Sequence, residues 1–100
     1  MPKLQIDLTE GFAGDTVAVR VGGREVYRQD GVSTNYSSGV AGRVEADVAE
    51  GPVPVEVELP ARGERAGLTA RVEGDSFVAV SLSPDGRLAV TQLGAMPRYL

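Results

Sequence analysis

Apolar and polar residues alternate with a period of two along most of this 100-residue chain. The clearest stretch is Pro52-Val53-Pro54-Val55-Glu56-Val57-Glu58-Leu59-Pro60, where Val53, Val55, Val57 and Leu59 share one side and Pro54, Glu56 and Glu58 the other. Successive side chains of a strand point to opposite faces of its sheet, so the pattern predicts a strand with one buried and one wet face. Proline donates no backbone hydrogen bond, which assigns Pro54 to an edge strand or a strand start. With two glutamates on the wet face as guards against unwanted pairing, the segment reads as peripheral.

The same period recurs on either side. Residues 3–9 turn Leu4, Ile6 and Leu8 inward, and residues 16–21 do so with Val17, Val19 and Val21. Gly22-Gly23 then supplies a two-residue hairpin turn. Residues 24–28 should return antiparallel, with Val26 on the apolar side, Tyr27 opposite and Asp30-Gly31 closing the strand. Residues 31–39 are polar and turn-rich and read as a loop. Alternation resumes over residues 40–48 through Val44, Ala46 and Val48, and over residues 65–73 through Ala66, Leu68, Ala70 and Val72. Leu68 and Val72 also have helical spacing, but Gly67 and Gly74 favour a strand.

Residues 76–82 are apolar on both faces, which predicts a central strand covered on both sides. Ser83-Pro84-Asp85-Gly86 has proline second and glycine last, the arrangement of a type I turn running into a bulge. Residues 87–92 complete that hairpin. The sum is an all-β fold, an antiparallel β-sandwich of seven to eight short strands in one domain over residues 1–92. The tail 93–100 is more apolar than a free tail should be, and is expected to pack on the domain or on a partner.

Composition narrows the chemistry. The chain has no cysteine and no histidine. That removes disulfides, thiolate sites, the commonest general base and the usual partner of a serine nucleophile. A formal net charge of −4 with scattered basic residues opposes a nucleic-acid partner. No apolar run reaches membrane-spanning length, and the first residues lack an apolar leader, so the expected location is cytoplasmic.

The remaining candidates are few. Glu56 and Glu58 share a strand face at the roughly 6.5–7 Å separation of alternate residues, within the range of a carboxylate pair. Asp75 and Asp85 could join an oxygen-ligand cation site, but both stand where turns want an aspartate. Asn35-Tyr36-Ser37 matches the glycosylation sequon, which matters only in a secreted chain. Tyr27, Arg28, Asn35, Tyr36 and Tyr99 combine aromatic faces with hydrogen-bonding groups, and are the candidate binding residues.

In its Val53-to-Leu59 strand, its Ser83-Pro84-Asp85-Gly86 hairpin and its lack of helical pattern, the chain resembles small bacterial immunoglobulin-like and transthyretin-like sandwich modules. The Cys-Trp-Cys core of true immunoglobulin domains is missing, and so are the histidines used by enzymatic transthyretin-like members. The resemblance therefore implies the immunoglobulin-like architecture without an enzyme activity. The function expected is a non-catalytic interaction domain, presenting loops or a sheet edge to a protein partner or to itself, with no cofactor, no metal, no nucleic acid and no membrane. The alternative is a small-ligand or carbohydrate-binding module using the 31–39 loop.

Overall fold

The computed structural model describes residues 2–35 and 37–94. Among them are eight strands and no helix: β1 (Lys3–Leu8), β2 (Ala13–Val21), β3 (Arg24–Ser33), β4 (Gly42–Asp47), β5 (Gly51–Leu59), β6 (Glu64–Val72), β7 (Ser76–Leu82) and β8 (Leu88–Leu93). They form two four-stranded sheets, ordered β4-β1-β7-β8 and β3-β2-β5-β6. The expected alternations face inward: Leu4, Ile6 and Leu8, Val17 and Val19, Val55, Val57 and Leu59, and Val78 and Val80 are all fully buried. These side chains belong to one apolar cluster drawn from both sheets, as a β-sandwich requires.

Turn chemistry sets the hairpins. Gly22 and Gly23 have φ of 61° and 81°, the pair of positive angles that a type I′ turn needs and glycine supplies without steric cost. At the β7–β8 turn the Gly86 N–H donates to the Ser83 carbonyl at 2.9 Å and the Ser83 N–H to the Arg87 carbonyl at 2.9 Å. The Ser83 hydroxyl and Asp85 carboxylate are hydrogen-bonded within that turn.

Five expectations need correction. First, β5 is an inner strand between β2 and β6, not an edge. Its ladder with β2 runs only from Ala18↔Glu58 to Val21↔Val55, and closes where the Gly22 N–H donates to the Pro54 carbonyl at 2.9 Å. In an extended strand the N and C=O of one residue point to the same side, so Pro54, and Pro52 two residues earlier, turn their nitrogens toward β2 where β2 has ended. Pro52 therefore costs no ladder bond, and Pro54 forgoes only the bond reciprocal to that of the Gly22 N–H. Second, the sheets are not wholly antiparallel, because β1 pairs with β7 in parallel. The chain reaches β7 from the far sheet rather than through a hairpin, which leaves either direction open.

Third, β7 is central in order but its two faces differ: Val78 and Val80 on the inner side are fully buried, whereas Phe77, Ala79 and Ser81 on the outer side are half-buried. Fourth, Val26 and Tyr27 do not take opposite sides. Val19 pairs with Tyr27 while Arg20 pairs with Glu25, so Val26 is an extra residue in β3. This bulge lets both side chains pack against the core. Fifth, Asp30-Gly31 does not end the strand. The register shifts there, and β3 continues to Ser33 with Val32 buried in the core.

Inner placement of β5 also changes the role of its glutamates. Across the outer face of its sheet, Arg28, Ala18, Glu58 and Arg65 form one cross-strand row, and Glu25, Arg20 and Glu56 the next. Arg65 Nη2 lies 3.0 Å from Glu58 Oε2. Alternation of sign across strands avoids like-charge neighbours, although each exposed pair contributes only about 0–1 kcal/mol.

Two carboxylates are buried. Asp7 receives Arg43 Nε at 2.8 Å and the Gln5 side-chain amide, and Asp15 receives Arg62 Nε at 2.8 Å and the Ala13 N–H at 3.0 Å. Burial of a charge is tolerated when it is paired and hydrogen-bonded. The Asp15 pair ties the start of β2 to the β5–β6 turn, and the Asp7 pair ties β1 to β4.

Two stability outcomes follow from these positions. Val57→Asp places a carboxylate at a fully buried site of the inner strand, with a cost of roughly 4–5 kcal/mol or more that removes the cooperative urea transition, whereas Glu56→Gln shifts stability by about 0.5 kcal/mol or less. Gly11 has φ of 96°, and a Cβ there would sit 1.7 Å from the Leu82 carbonyl oxygen, while Gly74 has φ of 81° with nothing within 4 Å. Thermal melts should show Gly74→Ala losing about 1 kcal/mol and Gly11→Ala far more; equal losses would contradict the close approach of the β1–β2 loop to β7.

Candidate functional site

Of the five residues singled out by sequence, three are described, and Tyr36 and Tyr99 lie outside the described residues. Tyr27 and Arg28 are neighbours on β3, and Asn35 stands just beyond its end. Tyr27 is half-buried against the core, and its hydroxyl lies close to Gly42 at the start of β4. Burial pushes its phenol above the ordinary value near 10, because the phenolate would lose solvent.

Arg28 is turned to the outer face and binds Glu25 through Nε at 3.2 Å and Nη2 at 2.9 Å. That hydrogen-bonded contact holds the Glu25 carboxyl below its usual range and raises the guanidinium of Arg28. Asn35 is engaged locally. Its Oδ1 accepts from the Ser37 N–H at 2.9 Å, its N–H donates to the Val40 carbonyl at 3.1 Å, and its carbonyl accepts from Gly39 at 2.7 Å. Among the described residues, Tyr27 therefore faces the core, Arg28 the opposite side of the sheet, and Asn35 shapes its own turn.

Three of the other charged candidates are engaged as well. Asp75 Oδ1 accepts from the Lys3 N–H at 2.9 Å, Asp85 bonds Ser83, and Glu58 pairs with Arg65. Among the described residues, no group of three or more Asp or Glu side chains is gathered closely enough to hold a metal ion. No helix of the described residues is long and apolar enough to cross a membrane.

A concave surface arises instead where the β2–β5 ladder stops. Past Pro54, β5 has a neighbour only in β6, and a groove of about 380 Å³ opens between the β2–β3 turn and the β4–β5 connection. Val26, Val48, Val53 and Pro54 give it apolar walls, Ala49 and Pro52 stand exposed along it, and Arg24 and Asp47 supply charges of opposite sign. Lys3 Nζ lies 3.2 Å from Asp47 Oδ1 beside it. The wall beside β5 offers no backbone donor, since both prolines lack the N–H that would face the groove. The lining thus mixes apolar side chains with charged and backbone polar groups, which together can seat an apolar side chain and orient it.

Sequence reasoning passed over these residues. In the sequence Pro54 reads as the mark of an edge strand or a strand start, but its significance depends on where β2 ends relative to β5, which is a long-range register. A second groove of about 380 Å³ lies at the opposite end, where Arg62 and Glu10 line it with Ser83 and Pro84. Its Arg62 is committed to the buried Asp15.

The two sheet sides differ in how they are closed. At one side the Gln92 side-chain amide accepts from the Arg71 N–H at 2.9 Å and donates to the Arg71 carbonyl at 2.7 Å, and Glu64 Oε2 accepts from the Leu88 N–H at 3.0 Å, so β6 and β8 are stitched together. At the other, β3 is bulged and charged, and β4 carries Arg43, Glu45 and Asp47. Each free edge thus has a feature that discourages strand addition.

Compared with known proteins, the chain matches no protein-family model and no curated protein sequence.

The burial of Tyr27 has a measurable pH consequence. With a raised folded-state value, the unfolded chain loses its phenolic proton first, so the Tyr27 contribution is fully present below pH about 10 and is lost as pH rises through the folded value. Urea unfolding between pH 9 and roughly 11.5 should show a steeper loss for the parent than for Tyr27→Phe, which lacks the titrating group. Identical slopes would place Tyr27 in solvent.

Proposed function

We propose that this chain is a non-catalytic interaction domain of the immunoglobulin-like kind, which takes an apolar side chain of a protein partner into the groove beside Pro52 and Pro54. The observation that carries the reading is the groove itself, a concavity of mixed apolar and polar lining formed by the premature end of the β2–β5 ladder. A chain without histidine or cysteine has little to offer as a catalyst, which supports binding over chemistry. The protected edges favour an end of the sandwich over strand addition as the contact surface. Asn35 is committed to its own turn, so the 31–39 loop has less to offer a sugar or other small ligand.

In this role Val26 and Val53 would desolvate the partner's anchor, while Arg24 and Asp47 would orient the segment around it. Central apolar burial with a polar rim is how small interfaces concentrate their energy. Ala49 is exposed along the groove, so a bulky residue there blocks entry without disturbing the core.

Selection of random peptides displayed on phage against the full chain tests the proposal. Binders with an apolar anchor should be recovered, and Ala49→Arg should weaken them by about tenfold or more while leaving the melting temperature unchanged. Binders indifferent to Ala49→Arg but lost with Ser38→Arg would move the site to the 31–39 loop and overturn the assignment.

A further inference from the structure

Arginines on the outer face of the β3-β2-β5-β6 sheet stand among carboxylates: Arg20 lies between Glu25 and Glu56 in its cross-strand row, and Arg28 and Arg65 bind Glu25 and Glu58. Arg24 is placed differently. It pairs with Val21 across the Gly22-Gly23 turn, and directly paired residues of an antiparallel ladder share a face. Val21 belongs to the core, so Arg24 is on the inner side, in the row Arg24, Val21, Val55 and Leu68, which carries no carboxylate. There it lines the groove beside Pro54. The other charged residue of the groove, Asp47, already has Lys3 Nζ at 3.2 Å, and it alternates with the core residues Ala46 and Val48, which turns it outward. Among the described residues, none forms an ion pair with the Arg24 guanidinium.

We propose that Arg24 reads a carboxylate, and that the partner segment seated in the groove carries an Asp or Glu side chain within two residues of its apolar anchor. This inference rests on the groove as the binding site and names the chemistry of what it takes. With Asp47 matched by Lys3, the charge left for a partner is positive, and a guanidinium offers donors in a planar fork that fits a carboxylate. Arg24 lines the same groove as Val26 and Val53, so the acid and the anchor are near neighbours in the bound segment, where alternate residues of an extended chain are only about 7 Å apart.

Two features narrow the kind of acid. A chain-terminal carboxylate is ordinarily captured by a nest of backbone N–H groups, and Pro52 and Pro54 leave the β5 wall without such donors, so the fork of Arg24 favours an acidic side chain inside a continuous segment. The formal net charge of −4 repels a run of acids, which favours one carboxylate beside an apolar anchor over a polyacidic ligand.

A double-mutant cycle on the phage-selected peptides tests the inference, with the full-length parent and its Arg24→Gln variant each titrated with a peptide and with its Glu→Gln or Asp→Asn counterpart. Peptides lost with Ala49→Arg should be enriched in an acid beside the anchor. Removing that acid should weaken binding to the parent by about fivefold and leave binding to Arg24→Gln unchanged. Selection against Arg24→Glu should turn the preference at that position from acid to Lys or Arg. Arg24 is exposed, so neither substitution disturbs the core. Peptides that are lost with Ala49→Arg but carry no acid, or lose as much on its removal with Arg24→Gln as with the parent, would overturn the inference and leave the groove standing. Peptides indifferent to Ala49→Arg would overturn the groove reading, and this inference with it.

Discussion

The ladder between β2 and β5, and the point at which it stops, is the constraint on which this fold turns. β5 contributes Val53, Val55, Val57 and Leu59 to the core, each worth roughly 1.5–3 kcal/mol when fully buried. A strand with that much inward apolar surface is best used in the interior of its sheet, with partners on both sides. Its prolines forbid a ladder bond at two positions, and the fold satisfies both demands by register. The two-sided part runs over Val55 to Glu58, and the proline-bearing part projects past the Gly22-Gly23 turn. The groove is the space left by that projection.

The outer faces follow from the same placement. Because β5 is flanked, its glutamates meet arginines on both neighbours, and the sheet surface becomes a lattice of alternating sign. Protection against strand addition is then distributed over the four real edges, through bulges and charges on β3 and β4 and through the Gln92 and Glu64 bonds between β6 and β8.

Much of the local structure was legible in the sequence. The inward sets of β1, β2, β5 and β6, the Gly22-Gly23 hairpin and the Ser83-to-Gly86 turn all follow from period and turn chemistry, which act between residues close in the chain. What was not legible depends on distant partners. Pro54 looks like an edge residue because proline excludes one hydrogen bond, yet the exclusion holds only on the side where a partner is present. Val26 and Tyr27 look opposed because alternation assumes an unbulged strand, and the bulge is set by pairing with Val19 and Arg20. The parallel β1–β7 pairing is equally silent in local pattern. The candidate site shared that limit: Tyr27, Arg28 and Asn35 are close in sequence but serve three different local purposes, while the groove joins residues from β2, β3, β4 and β5.

Amide hydrogen exchange at Glu56 and Glu58 tests the inner placement of β5 most directly. The Gly22-to-Pro54 bond fixes the parity of the ladder, so the Glu56 and Glu58 N–H groups face β2 while those of Val55 and Val57 face β6. An inner strand predicts that all four amides exchange only through global unfolding, with equal protection. Rapid exchange at Glu56 and Glu58 beside slow exchange at Val55 and Val57 would make β5 an edge, and would contradict both the register and the groove derived from it.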